Sequence, residues 1–372
     1  MRQKNVTYTK NNLKVFLKKL IKGKIFIISG LRSYKKSGAN KILSPILKKK
    51  KFETYFKNSE IPVINELEKI IKKIKLFKPN VIIAIGGGAV MDYAKIANYL
   101  CNTQNLKKNI IQPQNFKNFK YCKLIAIPTT AGSGAEVTSN AVIYINKKKF
   151  SVENKLVKPD NFLLLPNLIL KNKKNLKTSS GFDAIAQAVE SLFSLKSNNR
   201  SIKYATESLK ITLKNFIPHI KKPTLENSKK MLIGANLAGK AINISKTTAP
   251  HALSYPFTTN FNISHGHAVG ITFNEFLKFN YKNIKNTVIK FDLKRRFNIL
   301  FKLSNTKNIF DLDDYFKKLK KEAGIKDSFL YFKINIKKNL KRITKDINFQ
   351  RLSNNPVKIK LRDINKILLN KN

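Results

Sequence analysis

The feature that most constrains the fold is a buried apolar segment that runs directly into three glycines and then into a helix. Residues 80–88 read NVIIAIGGG, and residues 90–100, VMDYAKIANYL, have apolar side chains at helical spacing. A helical pattern over residues 61–77 precedes this segment. Further segments of strand length and strand-like composition lie at 24–30, 123–130, 141–146 and 161–166. Such alternation of strands and helices predicts a parallel sheet with crossover helices.

The periodicity changes after about residue 172, which predicts a second domain of different architecture. Segments such as DAIAQAVESLFSL and KKMLIGANLAGKAINIS have helical spacing and little strand signal. A chain of 372 residues that is 42% hydrophobic is long and apolar enough for two cores. We therefore expect an α/β domain over residues 1–172 and an all-α domain over residues 173–372.

The composition narrows the class of protein. No apolar run reaches the about 18–20 residues needed to cross a bilayer. The first residues lack the apolar centre of a signal peptide, and the two cysteines, Cys101 and Cys122, are too few for a disulfide framework. We therefore expect a cytoplasmic protein that does not enter membranes.

The charge of +53 results from 74 Lys and Arg against 21 Asp and Glu. Because the lysines are spread along the chain and accompany abundant Asn and Ile, we interpret the charge as compositional bias. The chain has no RNA- or DNA-reading motif, so nucleic acid is not the expected partner. A positive field nevertheless favours an anionic small-molecule substrate.

Two glycine-containing turns follow predicted strands and suit the binding of a nucleotide. Gly86–Gly88 separate a strand from a helix, where bare backbone and free helix N–H groups can approach a phosphate. Residues 129–134, TTAGSG, follow the next strand and offer hydroxyls and flexible backbone. Ligands of open α/β sheets bind at the carboxyl ends of strands. Either turn alone could be structural, but two on one sheet favour a ligand site.

Three of the four histidines crowd into the segment 250–270: His251, His265 and His267. In this acid-poor chain, Asp183 opens a predicted helix and Gln187 follows one turn later on the same face. A carboxylate combined with imidazoles suits a divalent metal. The alternative is that Asp183 only stabilises the start of its helix and that the histidines are structural.

Four motifs, in this order, resemble those of the iron-containing (group III) alcohol dehydrogenases: GGGAVMDYAK, IPTTAGSGAEVT, GFDAIAQAVES and HALSYPFTTNFNISHGHAV. The resemblance covers nearly the whole chain. It implies a dehydroquinate synthase-like architecture with an NAD(P)-binding α/β domain, a metal-binding helical domain and a cleft between them. It also implies a homodimer and an enzyme that interconverts alcohols and aldehydes.

The resemblance assigns the metal ligands to Asp183, His251 and His265. The family's fourth ligand is usually a histidine four residues after the aspartate, where this chain has Gln187, a weaker ligand. Fe²⁺ is the usual metal of the family, and Zn²⁺ fits the same ligands. A further family histidine, four residues after His251, is replaced here by Tyr255.

The resemblance also assigns the cofactor contacts. They are Gly86, Gly87, Gly88, Asp92 and Lys95 in the first turn and helix, and Thr129, Thr130, Gly132, Ser133 and Gly134 in the second turn. The strand 24–30 ends in Gly30 with Arg32 nearby, where members that prefer NAD often have an acid. Because an acid there would repel a 2′-phosphate, we predict that NADPH is accepted alongside NADH.

Three stretches narrow the resemblance to the phosphonoacetaldehyde reductases: AQAVESLFSLKSNNRSIKYA, ISKTTAPHALSYPF and FQRLSNNPVKI. This subgroup implies reduction of phosphonoacetaldehyde to 2-hydroxyethylphosphonate. A dianionic head group needs cations or polar donors, and Lys246, helped by Thr247 and Thr248, is the candidate, unless it is simply one more solvated lysine. Water, Tyr255 and His267 are candidates for proton delivery. His267 is slightly preferred because an ordinary histidine titrates near neutrality, and the alternative is that it only lines the pocket.

The sequence is compatible with two other functions. A general alcohol dehydrogenase for short uncharged alcohols would use the same metal and cofactor residues. A non-catalytic cationic binding protein, in which Gln187 has abolished the reaction, would keep the fold only. The kept glycine turns and the Asp183, His251 and His265 set argue against the second of these.

Overall fold

The computed structural model describes residues 6–7, 22–112, 119–146, 148–288 and 291–371. The chain divides into two compact units at the Asn172–Lys173 peptide bond. The first unit alternates strands with helices. Its strands are β1 (Val6–Thr7), β2 (Ile25–Gly30), β3 (Phe52–Lys57), β4 (Val81–Gly86), β5 (Lys123–Pro128), β6 (Asn140–Ile145), β7 (Lys148–Glu153) and β8 (Asn161–Leu164). Its helices are α1 (Leu31–Lys36), α2 (Ala39–Leu47), α3 (Ile64–Phe77), α4 (Gly88–Leu100), α5 (Leu106–Ile111) and α6 (Asn167–Leu170).

Six of these strands form one parallel sheet in the order β1-β8-β5-β4-β2-β3. In the middle of the sheet, Ile83 pairs with Ile27 on one side and with Ile125 on the other. Side chains on both faces of β4 are buried, Ile82 on one face and Ile83 on the other. Because the inner strands of a parallel sheet are covered on both faces, β2, β4 and β5 are continuous apolar runs, which is why the sequence predicts them.

The strand predicted over residues 141–146 forms, but it does not join the parallel sheet. It is β6, which pairs antiparallel with β7 in a separate two-stranded sheet. The sequence did not reveal β3 or β7, because their residues, FETYFK and KKFSVE, are mostly half-exposed and polar. The short β1, which pairs with β8 at the opposite edge from β3, was also not predicted.

The carboxyl ends of β2, β4 and β5 lie at one edge of the sheet. The chain leaves β2 to form β3 on one side and returns to form β4 on the other side, so the strand order reverses between β2 and β4. Gly30 ends β2, Gly86 ends β4, and Gly86 pairs with Pro128, which ends β5. Open α/β sheets bind their ligands at such a point of reversal. The first glycine turn follows β4 at this point, and the second follows the neighbouring strand β5.

The second unit is helical. Its helices are α7 (Lys174–Phe193), α8 (Asn199–Lys221), α9 (Leu225–Ser245), α10 (Ala249–Phe261), α11 (His265–Lys282), α12 (Leu293–Ser304), α13 (Ile309–Ala323), α14 (Ile336–Lys345), α15 (Phe349–Leu352) and α16 (Leu361–Leu369). Most of α7 is buried, and it packs against α8, α9 and α11. In the part of the chain that the structure describes, no helix is apolar over a length that would cross a bilayer. The predicted fold class, a parallel α/β unit followed by a helical unit, is confirmed.

Candidate functional site

The two glycine turns of the first unit lie against each other. The backbone N–H of Thr129 donates a 2.9 Å hydrogen bond to the carbonyl oxygen of Gly86. A Cβ added at Gly87 would lie 3.5 Å from Thr130 Oγ1, and one added at Gly88 would lie 3.3 Å from Ser133 Oγ. Gly134 has a φ of +58°, which glycine adopts without strain. The second turn therefore packs closely over the first.

Helix α4 begins directly at this pair of turns. Its N-cap residue is Gly87, whose backbone is extended and which has no side chain to accept a hydrogen bond from the first turn. Backbone N–H groups at a helix start are not used by the helix itself, and together with the helix dipole they favour an anion. The arrangement suits a pyrophosphate, as the sequence predicted for Gly86–Gly88.

The ammonium group of Lys95 is buried and bonded within the protein, so it is not directed toward a phosphate. It is 1% exposed, and its Nζ donates hydrogen bonds to Ala135 O at 2.9 Å, Thr138 Oγ1 at 2.9 Å and Asn140 O at 2.6 Å. Burial lowers the pKa of Lys95, and the nearby Asp92 opposes this effect. Burial raises the pKa of Asp92, against the opposing charge of Lys95. Lys95 thus holds the end of the second turn in place from α4.

In the second unit, three helices bring together Asp183, His251 and His265. One ligand atom from each lies within 4.8 Å of the others. His251 Nε2 is 3.1 Å from Asp183 Oδ1, and His265 Nε2 is 3.9 Å from the same oxygen. Ligands about 2.1 Å from a tetrahedral zinc ion lie about 3.4 Å apart, so these atoms have a spacing that a single ion can bridge. The sequence predicted all three residues as ligands.

Gln187 contributes an orphaned acceptor beside this cluster. Its Nε2 donates a 3.0 Å hydrogen bond to Asp183 Oδ2. Its Oε1 is buried and has no hydrogen-bond partner among the residues that the structure describes. A buried acceptor without a partner costs about 1–3 kcal/mol, and native proteins seldom leave one without a reason. One carboxylate, two imidazoles and this free amide oxygen together fit a divalent cation.

Each histidine of the cluster has its other ring nitrogen held by a partner. Ser254 Oγ lies 3.4 Å from His265 Nδ1, and the ring of Tyr255 stacks on that of His265 with centroids 6.1 Å apart and planes at 10°. His251 Nδ1 pairs with Glu190 Oε2. The ring nitrogens that face Asp183 are therefore both Nε2.

Glu190 is a site residue that sequence reasoning missed. It follows Asp183 and Gln187 on α7 at the i, i+4, i+7 spacing of one helix face, which was a signal available in the sequence. Its carboxylate strongly affects the histidine: burial alone would lower the pKa of His251, but Glu190 and Asp183 raise it to about 10. Burial raises the pKa of Asp183, yet its bonds with His251 and the nearby His265 lower it overall. The two buried carboxylates thus favour positive charge between them.

A glycine lets the helices approach closely enough to form the cluster. A Cβ added at Gly266 would lie 1.8 Å from the carbonyl oxygen of Ser179, and the Gly266 N–H donates to Ser179 Oγ at 3.2 Å. Gly266 directly follows His265 at the start of α11, and Ser179 lies one turn before Asp183 on α7. This close approach sets the distance between His265 and Asp183.

His267 lies apart from the three ligands. Its Nδ1 is 2.8 Å from Ser264 Oγ, and the ring also forms a hydrogen bond with the backbone of Gly324. Burial lowers the pKa of His267, and the Gly324 bond opposes this in part. The group of side chains that could hold a metal consists of Asp183, His251 and His265 and does not include His267.

The segment predicted to bind substrate precedes α10. Lys246 has φ +61° and ψ 179°, a region of backbone conformation that is nearly restricted to glycine. The Thr247 carbonyl accepts a 3.0 Å hydrogen bond from Asn354 Nδ2. Thr248 donates to Glu190 Oε1 through both its N–H, at 2.9 Å, and its hydroxyl, at 3.0 Å. These groups of Thr247 and Thr248 hold the segment in place.

Comparison with known proteins gives relatives over both units. Residues 6–166 match the family model for iron-containing alcohol dehydrogenases, and residues 177–371 match the C-terminal model of the same family. Phosphonoacetaldehyde reductase of Streptomyces viridochromogenes is 27% identical over 222 residues, which are 57% of this chain and 56% of that protein. 4-Hydroxybutyrate dehydrogenase of Clostridium kluyveri is 30% identical over 229 residues, 60% of this chain and 61% of that protein. These matches span little more than half the length of the curated relatives.

Solved structures match the whole chain. The sulfoacetaldehyde reductase from Bifidobacterium kashiwanohense, solved in complex with NAD⁺, has a TM-score of 0.85 at 22% identity and covers 100% of this chain and 99% of that one. The shared fold and the two family matches, which together cover most of the chain, agree. This chain belongs to the iron-containing alcohol dehydrogenase family of oxidoreductases, which use NAD(P)H and a divalent metal.

Proposed function

We propose that this protein reduces a small anionic aldehyde to the alcohol with NAD(P)H, and that the aldehyde is phosphonoacetaldehyde, giving 2-hydroxyethylphosphonate. The observation that carries the metal-dependent reaction is the cluster of buried Asp183 and His251 with half-exposed His265, beside the orphaned Gln187 Oε1. This donor set fits Fe²⁺ or Zn²⁺. The two glycine turns at the carboxyl edge of the sheet support a nicotinamide cofactor as the hydride donor.

The names of three relatives support an anionic substrate. They are a phosphonoacetaldehyde reductase, a sulfoacetaldehyde reductase and a 4-hydroxybutyrate dehydrogenase. Each name describes a short-chain compound with a negatively charged group at one end and an aldehyde or alcohol at the other. An enzyme for such a compound needs a cation or polar donors for the charged end.

Contacts around Lys246 support it as that cation. Three stretches that are far apart in sequence meet there: Leu195 N–H donates to Asn354 O at 2.9 Å, and Asn354 Nδ2 donates to Thr247 O at 3.0 Å. Ser194 Oγ donates to Ser245 O. The three stretches are those that resemble the phosphonoacetaldehyde reductases. Their bonds hold Lys246 in a strained backbone conformation, and such strain persists only where surrounding contacts enforce it.

The protein's own residues would prepare the carbonyl for reduction. When bound, the metal supplies Lewis-acid polarisation of the aldehyde carbonyl and NAD(P)H supplies the hydride. Asp183, His251, His265 and the Gln187 amide oxygen would hold the metal. Glu190 and Ser254 orient the two imidazoles by their Nδ1 atoms. Lys246 would bind the phosphonate and so orient the aldehyde end.

Two residues are candidates for the proton that the product alcohol requires. The ring of Tyr255 stacks on that of His265, so the Tyr255 side chain lies beside one of the ligands. His267 is bonded to Ser264 and to the Gly324 backbone. We therefore favour Tyr255 Oη as the group that passes the proton, and retain His267 as the second candidate for the same step.

The test is an NAD(P)H-oxidation assay with the metal-stripped protein and with protein reloaded with Fe²⁺ or Zn²⁺. The substrates are phosphonoacetaldehyde, propanal and butanal. We expect activity only after reloading, with kcat/KM highest for phosphonoacetaldehyde. Equal rates with the three aldehydes would instead support a general short-chain alcohol dehydrogenase. Absence of NAD(P)H oxidation with every metal and aldehyde would contradict the proposal.

A further inference from the structure

Glu190 is a buried carboxylate whose hydrogen bonds all point to one short segment of the chain. It is 2% exposed. Oε1 accepts from Thr248 N at 2.9 Å, from Thr248 Oγ1 at 3.0 Å and from His251 N at 3.3 Å, and Oε2 pairs with His251 Nδ1. Four donors on one carboxylate satisfy it fully, which offsets the cost of burying its charge.

The Oε1 contacts fix the start of α10. Thr248 is the N-cap residue of this helix, and its hydroxyl is directed to Glu190 rather than back to its own helix. The N–H groups of Thr248 and His251 are those of the N-cap and N3 positions, which an isolated helix leaves without partners. In a capping box, groups of the helix's own first turn satisfy these two donors. Here Glu190 satisfies both from another helix, α7.

The Oε2 contact fixes the ring of His251. An ionised carboxylate only accepts hydrogen bonds, so the partner atom Nδ1 carries a proton. This leaves Nε2 as the ring atom that faces Asp183, at 3.1 Å from Oδ1. A carboxylate on the far nitrogen of a ligand histidine determines both which nitrogen binds the metal and the direction in which the ring points.

We propose that Glu190 is a positioning residue of the metal centre, which acts through His251 by holding both the helix start and the ring of that ligand. The inference rests on the proposed function, because it assigns Glu190 a role toward the metal of that site. Asp183 and Glu190 lie on the same face of α7, two turns apart. One rigid helix therefore carries a ligand and also the group that orients a second ligand.

The decisive variant is Glu190→Gln. The amide keeps an oxygen for the Thr248 and His251 N–H groups, so α10 stays capped. Its NH₂ group then faces His251 Nδ1 and favours the wrong tautomer, with the proton on Nε2. Ser191→Ala is the matched control, because Ser191 is the next residue on α7, is also buried, and bonds to Ser245 Oγ at 2.8 Å.

The experiment measures Zn²⁺ binding to metal-stripped protein by calorimetry, together with the visible spectrum of the Co²⁺-loaded forms. We expect Glu190→Gln to weaken Zn²⁺ binding about 10–100-fold and to shift the Co²⁺ bands. The Zn²⁺ affinity of Ser191→Ala should stay within about threefold of wild type, a difference of less than about 1 kcal/mol, because Ser191 bonds to Ser245 and not to a metal ligand. In a His251→Ala background, adding Glu190→Gln should change the Zn²⁺ affinity no further, because the residue acts through His251.

Several outcomes distinguish this inference from the proposed function. If wild type fails to bind one Zn²⁺ per chain, the proposed function itself is wrong. If wild type binds and Glu190→Gln binds equally, with unchanged Co²⁺ bands, Glu190 only caps α10 and the inference is wrong. If Glu190→Gln does not fold, Glu190→Asp, which keeps the charge one methylene shorter, is measured; an affinity equal to wild type would again overturn the inference.

Discussion

The Gln187 side chain donates a 3.0 Å hydrogen bond from Nε2 to Asp183 Oδ2, one helical turn away on α7. This bond fixes which end of the amide is which, because a carboxylate can only accept. It leaves Oε1 buried without a hydrogen-bond partner in the described part of the chain. The one atom of Gln187 that is able to bind a cation is therefore the one that is free to do so.

Gln187→His should tighten metal binding. Imidazole is a better ligand for iron and zinc than an amide oxygen. We expect Zn²⁺ affinity to rise at least about tenfold, or about 1.4 kcal/mol, in a competition titration with a chelator. Gln187→Ala, the control, should bind Zn²⁺ less tightly than wild type. Wild-type affinity in Gln187→Ala would mean that the amide oxygen is not a ligand.

Gly266→Ala should damage both folding and the metal site. The new methyl group would lie 1.8 Å from a backbone oxygen, Ser179 O, which cannot rotate away. Helix α11 must then shift and carry His265 away from Asp183. We expect a loss of about 3 kcal/mol in the free energy of unfolding, at the upper end for overpacking, and weaker Zn²⁺ binding.

Gly270→Ala is the matched control for this change. It lies one turn further along α11, and the atoms nearest to its added Cβ would belong to side chains, Ile325 Cγ2 at 3.3 Å and Phe182 Cε1 at 3.4 Å. A small rearrangement there is offset by the about 1 kcal/mol that alanine gains over glycine in a helix. Urea unfolding of both variants tests the contrast, and equal losses would argue against the close approach of α11 to α7.

Lys246→Gly separates the charge of this residue from its strained backbone. Glycine adopts φ +61° and ψ 179° freely, so we expect the free energy of unfolding to rise by about 1 kcal/mol. The KM for phosphonoacetaldehyde should rise at least about tenfold, since a charged partner is lost, while the KM for propanal stays unchanged. Lys246→Ala should raise the KM equally but without the gain in stability. A parallel rise in KM for both aldehydes would show that Lys246 does not read the phosphonate.

The sequence predicts those strands whose residues are mostly buried. Strand β4 is buried on both faces, so NVIIAIGGG predicts a strand wherever it sits in the sheet. Strand β3 is an edge strand with half-exposed residues, and its sequence FETYFK does not differ clearly from a loop. The difference is physical: an edge strand is defined by its hydrogen bonds to β2, which leave no hydrophobic pattern.

At the site, the sequence allowed prediction of ligand types but not of their supports. Asp183 and His251 were predicted as ligands, yet nothing local indicates that the start of α10 lies against Glu190. Lys95 was predicted as a cofactor contact, whereas its Nζ turns inward to Ala135 O and its neighbours. Such roles depend on the direction of a long side chain and on contacts between residues that are 40 or more positions apart, which motif spacing does not encode.

Gly30→Asp should shift cofactor preference toward NADH. Gly30 ends β2 beside the point where the strand order reverses. Its added Cβ would lie 3.1 Å from Ser33 Oγ, the end of a side chain that can rotate, and 4.0 Å from Lys57 Cε. Gly30 is also the N-cap of α1 with extended backbone, a position that aspartate favours, so the fold should tolerate the change. A carboxylate there would repel a 2′-phosphate and bind a ribose hydroxyl. We expect the ratio of kcat/KM for NADPH to that for NADH to fall at least about tenfold, about 1.4 kcal/mol.

Gly30→Ser is the control, because serine caps the helix without adding charge, and it should leave this kcat/KM ratio near that of wild type. An unchanged ratio in Gly30→Asp would mean that position 30 does not select the cofactor.

His219 should make the second unit sensitive to acid. It is 2% exposed on α8, and its Nδ1 is 3.2 Å from Ser228 Oγ. Burial, and to a lesser degree the charge of Lys177, lowers the pKa of His219 to about 4, against an opposing bond with Asn227. Between pH 6.5 and 4 the folded state therefore binds fewer protons than the unfolded state, so stability is lost as the pH falls through this window.

For a shift of this size the loss is about 2–3 kcal/mol by pH 4.5. His219→Gln stays neutral and can keep a bond to Ser228, so its free energy of unfolding should fall less between pH 7 and 4.5. Urea unfolding of both proteins at pH 7, 5.5 and 4.5 measures the difference between their free energies of unfolding. The titration of the carboxylates, which both proteins share, cancels in this difference. Curves that stay parallel over this range would mean that His219 has the same pKa in the folded and unfolded states, and the prediction would be wrong.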